Sequence, residues 1–93
     1  MATPRIEIEY CTQCRFVLRA AWLAQEVLLT FGARIGEVAL IPGSGGRFEV
    51  RLDEVLFSRH PHGRFPEPHE IKELIRDRIA PGMTIGHGGG ERP

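Results

Sequence analysis

The chain has 93 residues, with 12 Lys plus Arg balancing 12 Asp plus Glu, and is 42% hydrophobic and 26% charged. That is one small globular domain, with room for a single core but no deep cavity, since a chain of this size removes roughly 60–65% of its unfolded surface from water. It has no polybasic tract to recommend nucleic acid or an anionic membrane as partner, and its longest apolar region, Val17 to Phe31, is broken by Arg19, Gln25 and Glu26, so no membrane span is expected.

The first residues, Met1 to Arg5, lack the charged leader and apolar stretch of a secretory signal, so the cytoplasm is the expected compartment. Arg5 to Tyr10 then alternates: Ile6, Ile8 and Tyr10 face one way and Arg5, Glu7 and Glu9 the other, as in a half-buried strand. From Cys14 to Phe31 the period becomes helical, with Phe16, Val17, Ala20, Leu23, Ala24, Val27, Leu28 and Phe31 on one broad face. Gly32 stands where a helix C-cap glycine belongs. Arg34 to Ile41 reads as a second strand, and Pro42 to Gly46 as a turn. Arg47 to Leu52 is a third strand with Phe48, Val50 and Leu52 inward. Asp53-Glu54 makes a tight connection to a fourth strand, Val55 to Ser58.

A loop from His60 to Pro66 follows. Pro68 opens a last helix with Glu67 and Glu70 near its positive end, and Ile71, Leu74, Ile75 and Ile79 form its buried stripe. Pro81-Gly82 stops it. The expected domain covers residues 1–81, and residues 82–93 are expected to be a glycine-rich, disordered tail.

The element order is therefore β-α-β-β-β-α. Strands joined through a helix should lie parallel with a right-handed crossover. Glu7 and Glu9 on the first strand complement Arg47 and Arg51 on the third if those two run antiparallel, each pair contributing roughly 0.2–1 kcal/mol. These constraints give a four-stranded mixed sheet of order 2-1-3-4 with both helices on one face. That is the two-layer core of a thioredoxin-like α/β fold.

Cys11 and Cys14, the chain's two cysteines, fall where the first strand gives way to the first helix. Three readings compete. A redox pair suits the place: Cys14 in the first helical turn and Cys11 just outside it can approach each other, while unpaired helix amides and Arg15 favour a thiolate. A zinc site would need a second pair of ligands, for which only His60 and His62 offer themselves, with His69 or His87 in reserve. Their spacing is not a usual finger spacing, and no metal or cofactor is expected. Two inert core cysteines are the third reading, although the strand-to-helix turn is a poor place to bury them.

Ile8 to Cys14, the Gly45-Gly46-Arg47-Phe48-Glu49-Val50 run and the late Ile71 to Ile75 helix resemble the selenoprotein W branch of the SelT/SelW/SelH (Rdx) family, over about residues 5 to 80. The resemblance implies a thioredoxin-like thiol oxidoreductase. Animal members of that family carry selenocysteine at the position of Cys14, so it also implies that Cys14 attacks and Cys11 resolves. Thioredoxins place a cis-proline opposite the redox motif, where this chain has Gly45-Gly46; that glycine loop is expected to lie beside the cysteines.

Trp22 lies off the main apolar face, next to Leu18 and Leu29. The expectation is that the second helix covers it, with Arg19 stacked on the indole; the alternative is a half-exposed patch that docks a protein substrate or a second copy. Ser44 and Ser58 have no evident catalytic partner, and the Gly43 to Gly46 run lacks the Lys-Ser/Thr of a phosphate loop. The functional expectation is a thiol–disulfide oxidoreductase in cell redox homeostasis. Its partners would be an unidentified protein client and glutathione or a thioredoxin-type reductant. The alternative is a redox-sensing binding module without turnover.

Overall fold

A computed structural model describes residues 3–85. Four strands, β1 (Arg5–Cys11), β2 (Glu37–Gly43), β3 (Phe48–Leu52) and β4 (Glu54–Ser58), form one sheet of order β2-β1-β3-β4. The helices are α1 (Val17–Phe31), a four-residue α2 (Arg59–His62) and α3 (Pro68–Ile79). β1 runs parallel to β2 and antiparallel to β3, and β3 is antiparallel to β4. The expected strand order and directions are those observed.

Alternation explains the layering. Ile6 and Ile8 of β1, Phe48, Val50 and Leu52 of β3 and Phe57 of β4 are buried, and so are Ala20, Leu23, Val27 and Phe31 of α1 and Ile71 and Ile75 of α3. Fully burying one such aliphatic or aromatic side chain contributes roughly 1.5–3 kcal/mol. Met83 and Ile85, beyond α3, also pack against this core; the rest of the expected tail, 86–93, lies outside the described residues.

The opposite face of the sheet is charged. Arg51 Nε donates to Glu7 at 3.1 Å, and its Nη1 donates to both Glu9 and Glu49 at 3.0 Å. Arg47 Nη1 reaches Glu49 at 3.2 Å, and its Nε lies 3.8 Å from Glu9. Glu9 sits directly opposite Glu49 in the β1–β3 register, an arrangement that repels on its own. The two arginines bridge the like charges.

Several boundaries differ from the sequence reading. The second strand begins at Glu37, because Gly32 to Arg34 forms a 3₁₀ turn first, and it runs on through Pro42 to Gly43, where the backbone still pairs with β1. The segment around His60 is not all loop. Arg59–His62 makes a helical turn closed by the Gly63 amide donating to the Arg59 carbonyl, with the His62 ring stacked on Phe57 at 4.4 Å. The last helix is as expected: Pro68 is its first residue, and Glu67 and Glu70 form a reciprocal capping box. No helix among the described residues is long and apolar enough to cross a membrane.

Candidate functional site

β1 is an inner strand, and its last residue carries the site. The Cys11 amide donates to the Arg47 carbonyl at 2.8 Å and the Thr12 amide donates to the Gly43 carbonyl at 3.1 Å. The turn that follows β1 is thereby held from both sides, by the start of β3 and the end of β2. The glycine-rich loop does lie beside the cysteines, and backbone hydrogen bonds hold it there. A Cβ at Gly43 would stand 2.7 Å from the Glu9 carboxylate, which would have to move aside.

Residues 12–16 then form two interlocked turns: the Arg15 amide donates to the Thr12 carbonyl, and the Phe16 amide to the Cys11 carbonyl. Arg15 adopts a left-handed conformation, φ +61°. This corrects the expected position of Cys14. It lies two residues before Phe16, the N-cap of α1, and not in the first helical turn, because the chain cannot pass through a left-handed residue and remain an α-helix. The turn at residues 12–15, closed by the Arg15-to-Thr12 hydrogen bond, brings the thiols together. Cys11 and Cys14 are joined as a disulfide, with Cα atoms 5.3 Å apart.

The two sulfurs occupy different surroundings. Cys11 is 2% exposed, whereas Cys14 lies on the surface. No side chain caps α1, and its first turn holds no carboxylate, so nothing neutralises the positive end of the helix that faces this turn.

Around the turn lies an aromatic cluster that sequence reasoning missed. Phe16, Phe48 and Phe65 meet edge to face, with centroids 4.8 Å (Phe16–Phe65), 5.4 Å (Phe48–Phe65) and 6.4 Å (Phe16–Phe48) apart. Arg19 lies 4.1 Å over the Phe65 ring, and Arg59 lies 5.2 Å from Phe65 and 5.4 Å from Phe16. Arg59 also donates to the Gly46 carbonyl at 3.3 Å, tying α2 to the loop beside Cys11. The one available signal was a lone phenylalanine in an otherwise polar, Gly- and Pro-broken segment. Phe65 is held there by its neighbour: Arg64 grips Glu70 of α3 with two hydrogen bonds, 3.0 and 2.9 Å. The Arg64 guanidinium, outweighing burial and helped by the Glu67 amide, holds the Glu70 carboxyl below its ordinary range.

Two of the histidines offered as metal ligands serve elsewhere. His62 stacks on Phe57 and contacts the Ser58 carbonyl, and His69 meets Glu73 at 2.7 Å. No group of three or more His, Cys, Asp or Glu able to hold a metal occurs among the described residues, and His87 lies outside them. Trp22 also departs from expectation. It is 47% exposed, and Arg19 lies over Phe65. α3 meets α1 at Glu26, where Lys72 Nζ donates to Glu26 at 3.0 Å inside the protein, and the indole is left half exposed.

An adjacent thiol pair on a strand-to-helix turn fits redox chemistry. The crystal structure of a protein from Bordetella parapertussis is 52% identical, covers 84% of this chain and 100% of its own, and superimposes with a TM-score of 0.81. That of a selenoprotein W-related protein from Vibrio cholerae is 46% identical over 84% of this chain and 99% of its own, also with a TM-score of 0.81. Among curated proteins none matches. The Rdx family pattern spans residues 5–77, from the start of β1 almost to the end of α3. The chain is a member of the Rdx family.

Proposed function

We propose that the protein is a thiol–disulfide oxidoreductase in which Cys14 attacks and Cys11 resolves. The observation that carries this reading is the asymmetry of the pair: two sulfurs at disulfide distance, one on the surface and the other 2% exposed. An attacking sulfur has to reach an incoming disulfide; a resolving sulfur needs only its neighbour. α1 begins three residues after Cys14 with no side-chain cap and no carboxylate in its first turn, and Arg15 follows Cys14 directly; a positive helix end and a neighbouring cation are the surroundings in which thiolates form.

The cycle starts from the dithiol. The Cys14 thiolate attacks one sulfur of a client disulfide; the client S–S bond breaks, a Cys14–client bond forms, and the leaving client thiolate takes a proton from water. Cys11 then loses its proton and attacks the Cys14 sulfur, forming Cys11–Cys14 and releasing the second client thiolate. Two electrons pass to the client. Two molecules of glutathione, or one thioredoxin-type dithiol, return them by the reverse exchange. We place this chemistry in the cytoplasm, where such reductants keep thiols reduced.

The test is a pair of variants. Cys14→Ser loses reduction of a disulfide substrate completely. Cys11→Ser retains attack and accumulates a mixed disulfide at Cys14, visible by mass spectrometry after incubation with oxidised glutathione. Full reductase activity in Cys14→Ser would assign the attack to Cys11 and overturn the reading.

A further inference from the structure

The helix that follows the redox turn has an uncovered apolar side. Leu18 is 77% exposed, Leu29 58%, Trp22 47% and Leu28 43%, and Gln25 is the one polar side chain among them. Leu18, Trp22 and Leu29 recur at helical spacing, with Gln25 between Trp22 and Leu29, so they form one stripe leading away from Cys14. Beside Trp22, between α1 and the loop before α3, a shallow cleft is lined by Arg19, Trp22, Phe65 and Pro66 over Leu23 and Phe48.

The charges around this stripe are one-sided. Arg5, Arg47, Arg51, Arg64, Arg76 and Arg78 each meet a carboxylate. Arg15, Arg19, Arg34 and Arg59 meet none among the described residues. Three of these four, Arg15, Arg19 and Arg59, adjoin the redox turn, and Arg34 lies just beyond the other end of α1. The acidic residue of α1 is Glu26, which is buried against Lys72. An apolar stripe with unpaired cations at both ends is complementary to an apolar segment flanked by carboxylates. A second copy fits poorly: helices paired antiparallel across a two-fold axis would bring Arg15 and Arg19 of one chain towards Arg34 of the other, with no exposed carboxylate on either helix to separate them.

We infer that the exposed face of α1, with the cleft beside Trp22, docks an acidic, apolar segment of a protein client and thereby presents the client's disulfide to Cys14. The inference rests on the redox reading for the purpose of the docking, not for the binding. Trp22 is the sole tryptophan and reports its own surroundings.

The test titrates the reduced, full chain with two cysteine-free amphipathic peptides that share one leucine face, flanked in one by Glu and in the other by Lys. The Glu peptide shifts Trp22 emission to the blue, saturably, and binds at least about tenfold tighter at low salt, with the margin shrinking as salt screens the arginines. Arg19→Glu abolishes that preference, Arg19→Lys keeps most of it, and Leu18→Ser weakens binding of both peptides; both positions are exposed, and unchanged melting temperatures certify the fold. Equal affinities, an unmoved emission, binding confined to phosphatidylserine vesicles, or a blue shift on concentrating the protein alone would each overturn the inference. Failure of the redox reading shows separately, as absence of Cys11–Cys14 exchange in glutathione buffers, whatever the titration gives.

Discussion

Arg15 holds a conformation that L side chains avoid, φ +61°, between two turn hydrogen bonds that leave the chain no other route from Cys14 to Phe16. Such a residue costs roughly 1–2 kcal/mol, most for β-branched side chains. Arg15→Val should therefore lower stability by about 1–2 kcal/mol while Arg15→Gly does not, as urea denaturation of the oxidised protein would measure. The pairing potential of Cys11 and Cys14 was legible from their spacing and place in the chain. The left-handed Arg15 was not, because the apolar period from Phe16 onward can be extended back to Cys14 without contradiction. Nothing in the residue types marks Arg15 as the break; it shows only in the turn hydrogen bonds to Thr12 and Cys11, on a stretch whose start is anchored to Arg47 and Gly43, about thirty residues away in sequence.

Between elements, the sheet was the readable part. Glu7 falls opposite Arg51 in the β1–β3 register, as their complementary charges suggested. The helix contact was not readable. Glu26 and Lys72 look like ordinary solvated charges on amphipathic helices, yet they are 5% and 1% exposed and bonded to each other. Two charges removed from water hold each other in place, and removing Lys72 takes the nearby cation from a buried carboxylate. Lys72→Met alone should cost about 3–5 kcal/mol, whereas Glu26→Leu with Lys72→Met should restore most of it or exceed the parent, read by chemical denaturation. A single variant that cost nothing would show the pair to be hydrated in solution. Trp22, one turn before Glu26 on α1, is 47% exposed even so.

At the scale of the whole molecule, carboxylates tied to arginines set the response to acid. Hydrogen bonds from Arg51 and then Arg5 hold Glu7 below its ordinary range, and Arg64 does the same for Glu70. A folded pKa below the unfolded one means that the unfolded chain binds more protons between the two values. The stabilisation is therefore complete above the unfolded value of about 4.3 and is lost as pH falls through the folded values. Unfolding free energy should stay level from pH 7 to about 5 and then decline. Glu70→Gln, which keeps a capping-box residue but removes the charge, should reduce stability at pH 7 and flatten the acid decline; an unchanged acid slope would show that Glu70 plays no part in it.

Alternation, helical period and charge complementarity depend on neighbours in sequence or on adjacent strands, so the sequence by itself determined four strands, two long helices, their order in the sheet and the nearness of the two thiols to each other where the first strand ends. Exposure and backbone reversal depend on what a distant element happens to cover. Only the tertiary structure therefore decided that Cys14 is open and Cys11 closed, that Phe65 and Arg59 gather beside them, and that α3 seals Glu26 while leaving the Leu18–Trp22–Leu29 stripe bare.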